Sequence, residues 1–478
     1  MFNSETISRI RRRLKRLLLV RLFSLIWEAK KVDLLNGKIR PIYQKYLAAA
    51  FGSTLITSIY STVDMAMVGQ YHGPNGSAAL AVMAPLWNLI FSLGLLTGIG
   101  GSVIFSTKRG SGSRGEENEY FTASVIASLV LAALAWAALL LFDRPLLLFF
   151  GADDTLLSLA QTYMRPIKWV FPLFLLNQML SAFVRNDNRP GLATASVLTG
   201  GIFNVFGDYF FVFTLDMGIY GAGLATAIGS ALSMLVMLTH FFHRNNTLRL
   251  VRVHRLLHLC GEIAVTGFPT FFVDVAMGIL TILFNRQIMR YLGADALAVY
   301  GPVINVSTFV QCCAYSVGQA SQPIFSTNFG AGRGSRIRAV LRCAIETSIA
   351  FGVFWTVLSM AVPNLYIRIF MKPTDAVLAI APAIIRRYAL SFLLLPFNIF
   401  STYYFQSIRK PGAAFVVSVM RGLVISGALI LLLPSVAGPN SIWFAMPITE
   451  LAVLGYVIAK MRQYTRALPE TGAAGSEA

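Results

Sequence analysis

The chain has 478 residues, of which 56% are hydrophobic and only 13% are charged. Soluble domains average about 25% charged residues, so this composition excludes an ordinary soluble protein and indicates a polytopic membrane protein. A β-barrel is excluded because its strands alternate in pieces of ~10 residues, whereas the apolar segments here are much longer. The formal charge of +19 comes mostly from residues between the apolar segments. We therefore expect the lipid bilayer, and no nucleic acid, as the partner of these charges.

A basic segment covers residues 1–40 and contains RIRRRLKRLLLVRLF, in which arginine residues are interspersed with leucine residues at roughly helical spacing. This pattern is typical of an amphipathic helix lying on an anionic membrane face. At about 20 residues per span, the rest of the chain accommodates twelve transmembrane helices. The expected limits are 43–69, 78–105, 119–142, 158–184, 190–213, 217–242, 261–287, 295–325, 338–361, 379–406, 411–433 and 440–461. We accordingly divide the chain into the segment 1–40, a first lobe 41–242, a linker 243–260, a second lobe 261–461 and a tail 462–478.

Basic residues are concentrated in alternate connections between the spans and at both ends of the chain. The basic connections lie near 108–114, 185–189, 244–255, 333–338 and 409–410. Cytoplasmic connections are enriched in lysine and arginine, so this alternation predicts that both termini are cytoplasmic. We expect a multi-pass protein of the cell inner membrane.

The two lobes repeat each other in sequence. FSTKRGSGSRG at Phe105 recurs as FSTNFGAGRGS at Phe325, which is 220 residues later, and LAVMAP at Leu80 recurs as LAVYGP at Leu297. Six spans per repeat is an even number, so both halves enter the membrane from the same side and flank a central cleft. An alternating-access transporter uses this arrangement directly, whereas a channel or a membrane enzyme does not need it.

Polar residues interrupt three apolar spans of the first lobe. Asp64 lies in the first span, Asn204 and Asp208 lie four residues apart on one face of the fifth, and Thr226 lies in the sixth. Each residue alone has a structural explanation, such as a hydrogen bond between helices. If the three spans meet, the four side chains supply hard oxygen ligands suited to a hard cation, and the two carboxylates can instead take up a proton. The set therefore predicts a site for Na⁺ or H⁺.

Several long motifs make the chain similar to a known family. They are YSTVDMAMVGQ at Tyr60, NVFGDYFFVF at Asn204, GIYGAGLATAIG at Gly218 and VGQASQPIFSTNFGAGR at Val317. With these motifs the chain, over about residues 33–460, resembles the multidrug and toxic compound extrusion (MATE) family. The resemblance implies an all-α protein of twelve transmembrane helices in two lobes around a V-shaped cleft. It also implies export of cationic and amphipathic small molecules in exchange for Na⁺ or H⁺.

The resemblance also carries site residues. In the prokaryotic branches with a coupling site in the first lobe, the ion-binding residues match Asp64, Asn204, Asp208 and Thr226. Another branch uses an acid in the tenth span, and FLLLPFNIFSTYYFQ here has none. Many members also have a proline about fifteen residues before the first-span aspartate, where this chain has alanines. Asp274 in the seventh span is predicted to be either a second protonation site or the structural partner of a polar residue such as Arg421.

Two other functions remain open at this stage. A lipid-linked oligosaccharide flippase of the same superfamily would need basic residues facing the cleft, and the spans are poor in arginine and lysine. A membrane-embedded transferase would need a cluster of acids or histidines at the cytoplasmic interface. The sequence contains no Ser–His–Asp set, HExxH or phosphate loop, so we expect a transporter and not an enzyme. We expect a monomer that uses no cofactor besides the coupling ion.

Overall fold

The computed structural model describes residues 32–113, 115–370 and 374–469. Most of the predicted segment 1–40 and of the tail 462–478 therefore lies outside the described residues. The described chain is almost entirely helical. Its helices are α1 Ile39–His72, α2 Pro74–Gly110, α3 Glu116–Phe149, α4 Asp154–Ile167, α5 Phe171–Asn186, α6 Pro190–Asp208, α7 Gly218–Leu238, α8 Leu256–Tyr291, α9 Ala294–Gly330, α10 Gly334–Ala361, α11 Pro363–Phe370, α12 Asp375–Ala389, α13 Leu395–Ser407, α14 Pro411–Val419, α15 Ile425–Val436 and α16 Ala445–Arg466.

The helices account for the spans expected from the sequence. Within the described ranges, ten helical segments are long and apolar enough to cross a membrane, where α12 with α13 and α14 with α15 each count as one segment. In addition, α4 with α5 forms an eleventh, bent span. Helix α1 is more polar, but its 34 residues extend about 51 Å, which is enough to cross the hydrocarbon core. The predicted all-α fold of twelve membrane helices in two lobes is confirmed.

The fourth span is not the continuous helix 158–184 that the sequence predicted. It breaks between α4 and α5, whose axes differ by 61°. Pro166 and Pro172 flank the break, and each removes a backbone N–H from the helical ladder. At its start, α4 is capped by Asp153, whose side chain accepts a hydrogen bond from the Leu156 amide at 2.8 Å. The bend directs α4 towards α7 in the first lobe.

The two lobes meet near one end of the helices. We call this the basic end, because the connections rich in arginine and lysine lie there. Asn186 in α5 and Gln322 in α9 exchange amide hydrogen bonds of 2.9 and 3.1 Å across the lobes. Closer to the membrane centre, the hydroxyls of Thr54 in α1 and Ser316 in α9 lie 2.8 Å apart. Nearer the opposite end, Met65 of α1 and Asn305 of α9 are exposed.

The repeated FST motif lies at a close approach of the two lobes. A Cβ atom added to Gly110 would lie 2.1 Å from the carbonyl oxygen of Thr327, and one added to Gly330 would lie 1.9 Å from that of Thr107. These positions are equivalent, since each pair is separated by 220 residues. Glycine is therefore required on both sides, because any side chain would hold the two backbones apart.

Candidate ion-coupling site and central cavity

The structure brings the predicted site residues of the first lobe together, and a tyrosine joins them. The Tyr163 hydroxyl of α4 donates to Asp64 Oδ2 of α1 at 2.7 Å and lies 3.3 Å from the Thr226 hydroxyl of α7. The Asn204 amide nitrogen of α6 donates to the same Thr226 oxygen at 2.9 Å. Asp208 lies one turn further along α6, close enough to interact electrostatically with Asp64 and Tyr163. Four helices therefore contribute to one polar cluster.

The cluster holds more oxygen acceptors than donors. Asp64 Oδ1, Asn204 Oδ1 and both carboxylate oxygens of Asp208 are buried and accept no hydrogen bond from a described residue. Asp208 is fully buried, and Asn204 is 2% exposed. A buried carboxylate without a partner is costly, so these oxygens need a cation or a proton to compensate them. Carboxylate, amide and hydroxyl oxygens are ligands that a hard monovalent or divalent cation accepts.

Tyr163 was not identified from the sequence. The break in the fourth span sets the direction of α4. Helix α7 packs closely against α4 at Gly223, where an added Cβ atom would lie 2.1 Å from the Tyr163 carbonyl oxygen. The paired prolines 166 and 172 were the available signal for this break. The position of the Tyr163 hydroxyl against Asp64 and Thr226 depends on the tertiary packing.

A cavity of about 230 Å³ lies between the lobes, beside the polar cluster. Asn204 and Thr226 form part of its wall, whereas Asp64 and Asp208 do not. The wall is otherwise mostly hydroxyls, amides and aromatic rings, and Arg185 is the one charged side chain among the described residues that line it. The hydroxyl and amide residues of the wall are Ser53, Thr54, Thr57, Ser58, Asn177, Gln178, Ser181, Ser196, Ser230, Ser233 and Gln319. Asn204 and Thr226 thus line the cavity, and Thr226 is linked to the Asp64 carboxylate behind it through the Tyr163 hydroxyl.

The second lobe has a different polar arrangement. Asp274 Oδ1 accepts a hydrogen bond of 3.0 Å from Tyr315, which lines the cavity. Arg421 pairs instead with Glu450, at 2.8 Å between Nε and Oε1, and both are buried. Asn398 donates to the other Glu450 oxygen at 2.7 Å. The structural partner of Asp274 is therefore a tyrosine and not Arg421, and its role as a second protonation site stays a prediction.

Asp187, at the basic end, forms a buried polar network that the sequence analysis did not single out. Its carboxylate lies 2.7 Å from Arg109 Nη1 and 2.8 Å from His240 Nε2, and it accepts the Thr247 amide at 2.9 Å. Burial opposes ionisation of this carboxyl, but the hydrogen bonds from His240 and Thr247 and the charge of Arg109 outweigh it and hold its pKa below the usual value. The network attaches the linker 243–260 to the first lobe.

Comparison with known proteins decides the family. The MatE family model matches residues 49–210 and 269–430, two segments of equal length offset by 220 residues. The chain belongs to the MatE family. This confirms the resemblance inferred from the motifs. The first matched segment lies in the first lobe and the second in the second lobe.

Curated relatives and solved structures agree with this assignment. The multidrug export protein MepA of Staphylococcus saprophyticus is 22% identical over 374 residues, which cover 78% of this chain and 82% of the relative. MepA of Staphylococcus aureus is 22% identical over 411 residues, which cover 85% and 90%. A multidrug resistance MATE transporter of the MOP superfamily, solved in an outward-facing conformation, superposes with a TM-score of 0.85 at 18% identity, covering 92% of this chain and 98% of the other. A MATE structure in a straight conformation has a TM-score of 0.81 at 19% identity, with 92% and 99% covered. These similarities support a multi-pass membrane transporter with the MATE fold.

Proposed function

We propose that this protein is a secondary active antiporter that exports amphipathic small molecules in exchange for Na⁺ or H⁺. The observation that carries the proposal is the group of four buried, unpartnered oxygens of Asp64, Asn204 and Asp208 behind the cavity wall. The relatives named as multidrug export proteins support the efflux of organic compounds. The compounds predicted from the sequence are cationic, and ionised Asp64 and Asp208 would attract them to the cleft.

Coupling follows from the two residues that the cavity and the ion site share. An ion can drive release of a ligand only if the two bind with different free energies in each other's presence. A cation bound by Asp64 and Asp208 draws the oxygens of Asn204 and Thr226 towards itself, and these atoms are then lost to a ligand in the cavity. A proton on either carboxylate has a related effect, because the new O–H group needs an acceptor among the same oxygens.

The direction of transport rests on the charge of the connections. The positive-inside rule places the basic end in the cytoplasm, and with it both termini. In this structure the lobes meet at the basic end, so the cavity is closed on that side. This corresponds to the state in which an exported ligand leaves and an ion enters from outside.

A flippase for lipid-linked oligosaccharides is the closest other function. Its pyrophosphate group would need several basic side chains, since a single guanidinium compensates little of that charge. Among the described residues that line the cavity, Arg185 alone is basic. The antiporter therefore fits the cavity better.

The test is transport by Asp64→Asn, Asp208→Asn and the double variant in proteoliposomes, with the Na⁺ and pH gradients imposed separately. Rhodamine 6G, an amphipathic cation, is the transported probe. Each substitution removes a titratable charge at constant size, so we expect gradient-driven uptake to be lost in each. The double variant should be little worse than either single one, because residues that form one site are not additive.

The matched control is Asp295→Asn, an exposed aspartate at the start of α9. This variant should transport as the wild type does. Wild-type uptake in Asp64→Asn, or multiplicative losses in the double variant, would refute a single coupling site.

A further inference from the structure

Arg185 is a buried cation whose hydrogen-bond partners, in the part of the chain that the structure describes, are all neutral. Its side chain belongs to the cavity wall near the basic end of α5, and the residue is 7% exposed. Nε and Nη2 donate to the backbone carbonyl and the hydroxyl of Ser181 at 3.3 and 2.8 Å, and Nη1 donates to Gln319 Oε1. An arginine is always protonated, and its guanidinium has five N–H donors, so two donors and the full charge remain unmatched.

Arg421, a buried arginine inside a span of the second lobe, shows what is missing. Arg421 pairs with the Glu450 carboxylate at 2.8 Å. Within the described ranges, no carboxylate lies within 4 Å of the Arg185 guanidinium. Its side-chain hydrogen bonds go to Ser181 and Gln319. The equivalent position of the second lobe, 221 residues later, is the neutral Gln406. An uncompensated buried charge is costly, which points to an anion supplied by a ligand.

The cavity also has an apolar end. Its wall follows α5 from Arg185 back to Phe174, eleven residues or about 16 Å away. There Phe174 packs edge-to-face on Phe91, with ring centroids 6.2 Å apart. Hydroxyls and amides line the region between these two ends. A ligand matching this wall has an apolar or aromatic body and a negative group at one end.

We propose that the cavity binds amphipathic organic anions, with the anionic group held by the guanidinium of Arg185. This deepens the proposed function, since it adds a second class of ligand to the same cavity. A carboxylate of the ligand accepts the two free N–H groups and supplies the missing charge, while its aromatic body lies towards Phe91 and Phe174. Cationic compounds do not use this anchor.

Two dyes with the same ring system test the proposal. Fluorescein carries a carboxylate on a xanthene core, and rhodamine 6G is a cation on the same core with its carboxyl group esterified. Binding of each dye is measured by fluorescence polarisation, with purified protein in phosphatidylcholine nanodiscs and no ion gradient. Arg185→Gln should weaken fluorescein binding about tenfold or more, since a buried charge-assisted contact is lost. It should leave rhodamine 6G binding unchanged or tighter.

Two further variants separate binding from folding. Gln319→Glu keeps Arg185 but gives it an internal carboxylate, so fluorescein binding should fall as in Arg185→Gln. Lys108→Gln removes a half-exposed cation that pairs with Glu116 outside the cavity, and it should bind both dyes like the wild type. Fluorescein binding that survives both Arg185→Gln and Gln319→Glu, or an equal loss of both dyes, would overturn the proposal. The compared variants all keep Asp64 and Asp208, and equilibrium binding is measured without a gradient, so failure of ion coupling alone leaves this result intact.

Discussion

Replacing Gly330 with alanine is expected to destabilise the conformation in which the lobes meet at the basic end. The new Cβ atom would lie 1.9 Å from the Thr107 carbonyl oxygen, whereas Cβ contacts under 3.0 Å essentially never occur. The backbones of α2 and α9 must therefore separate by at least about 1.1 Å, because the partner atom is main chain and has no rotamer to change. Overpacking of this kind costs about 1–3 kcal/mol. If the separated conformation is unaffected, the equilibrium between the two shifts by about 5- to 150-fold.

The shift is measured by spin-label distances across the basic end. Labels at Ser111 and Ser335, which are exposed and lie in different lobes, report the separation of the lobes. The four native cysteines must be replaced first, and these are Cys260, Cys312, Cys313 and Cys343. We expect Gly330→Ala to increase the population of long distances, and Gly110→Ala to do the same at the equivalent contact.

The control lies on the same helix. Gly301 is also in α9, and a Cβ atom there meets nothing within 4 Å. Gly301→Ala should therefore keep the wild-type distance distribution, although it makes the same change of residue. If Gly330→Ala and Gly301→Ala give identical distributions, the backbone contact at Thr107 does not control the closure of the lobes, and the argument fails.

Two more predictions concern the ion site and the basic end. Asn204→Ala and Thr226→Ala should raise the Na⁺ concentration needed for half-maximal transport, and the rise should be steeper at low pH. The reason is that each substitution removes an oxygen ligand for which protons do not compete. Wild-type transport that does not respond to Na⁺ but needs a pH gradient would show a proton site instead. Asp187→Asn should lower the free energy of unfolding by about 3–5 kcal/mol, since it leaves partly buried Arg109 and fully buried His240 without their carboxylate. Folding lowers the pKa of Asp187, so its contribution to stability is complete above the unfolded pKa near 4 and is lost as the pH falls through the folded pKa. Chemical denaturation of the wild type and of Asp187→Asn between pH 3 and 7 should therefore show that their difference in free energy of unfolding shrinks at low pH.

The sequence determined the architecture, because its signals are local or periodic. The length of apolar segments, the alternation of basic connections and the 220-residue repeat together specified twelve helices in two parallel halves. Asp64, Asn204, Asp208 and Thr226 could be proposed as one site because charged and amide groups inside apolar spans are costly and stand out. None of these inferences needs a distance.

Tertiary packing decided what surrounds those residues. Tyr163 contacts Asp64 only because the fourth span breaks between α4 and α5 and because α7 approaches α4 at a glycine. Neither the angle of the break nor the register of the contact is encoded in a local sequence pattern. Arg421 lies in a span close to both Asp274 and Glu450, and only the packing of α16 selects Glu450 as its partner. From the sequence, Arg185 was assigned to a basic connection between two spans. Its exposure to a cavity, with neutral side chains for partners, depends on helices from both lobes that are distant in sequence.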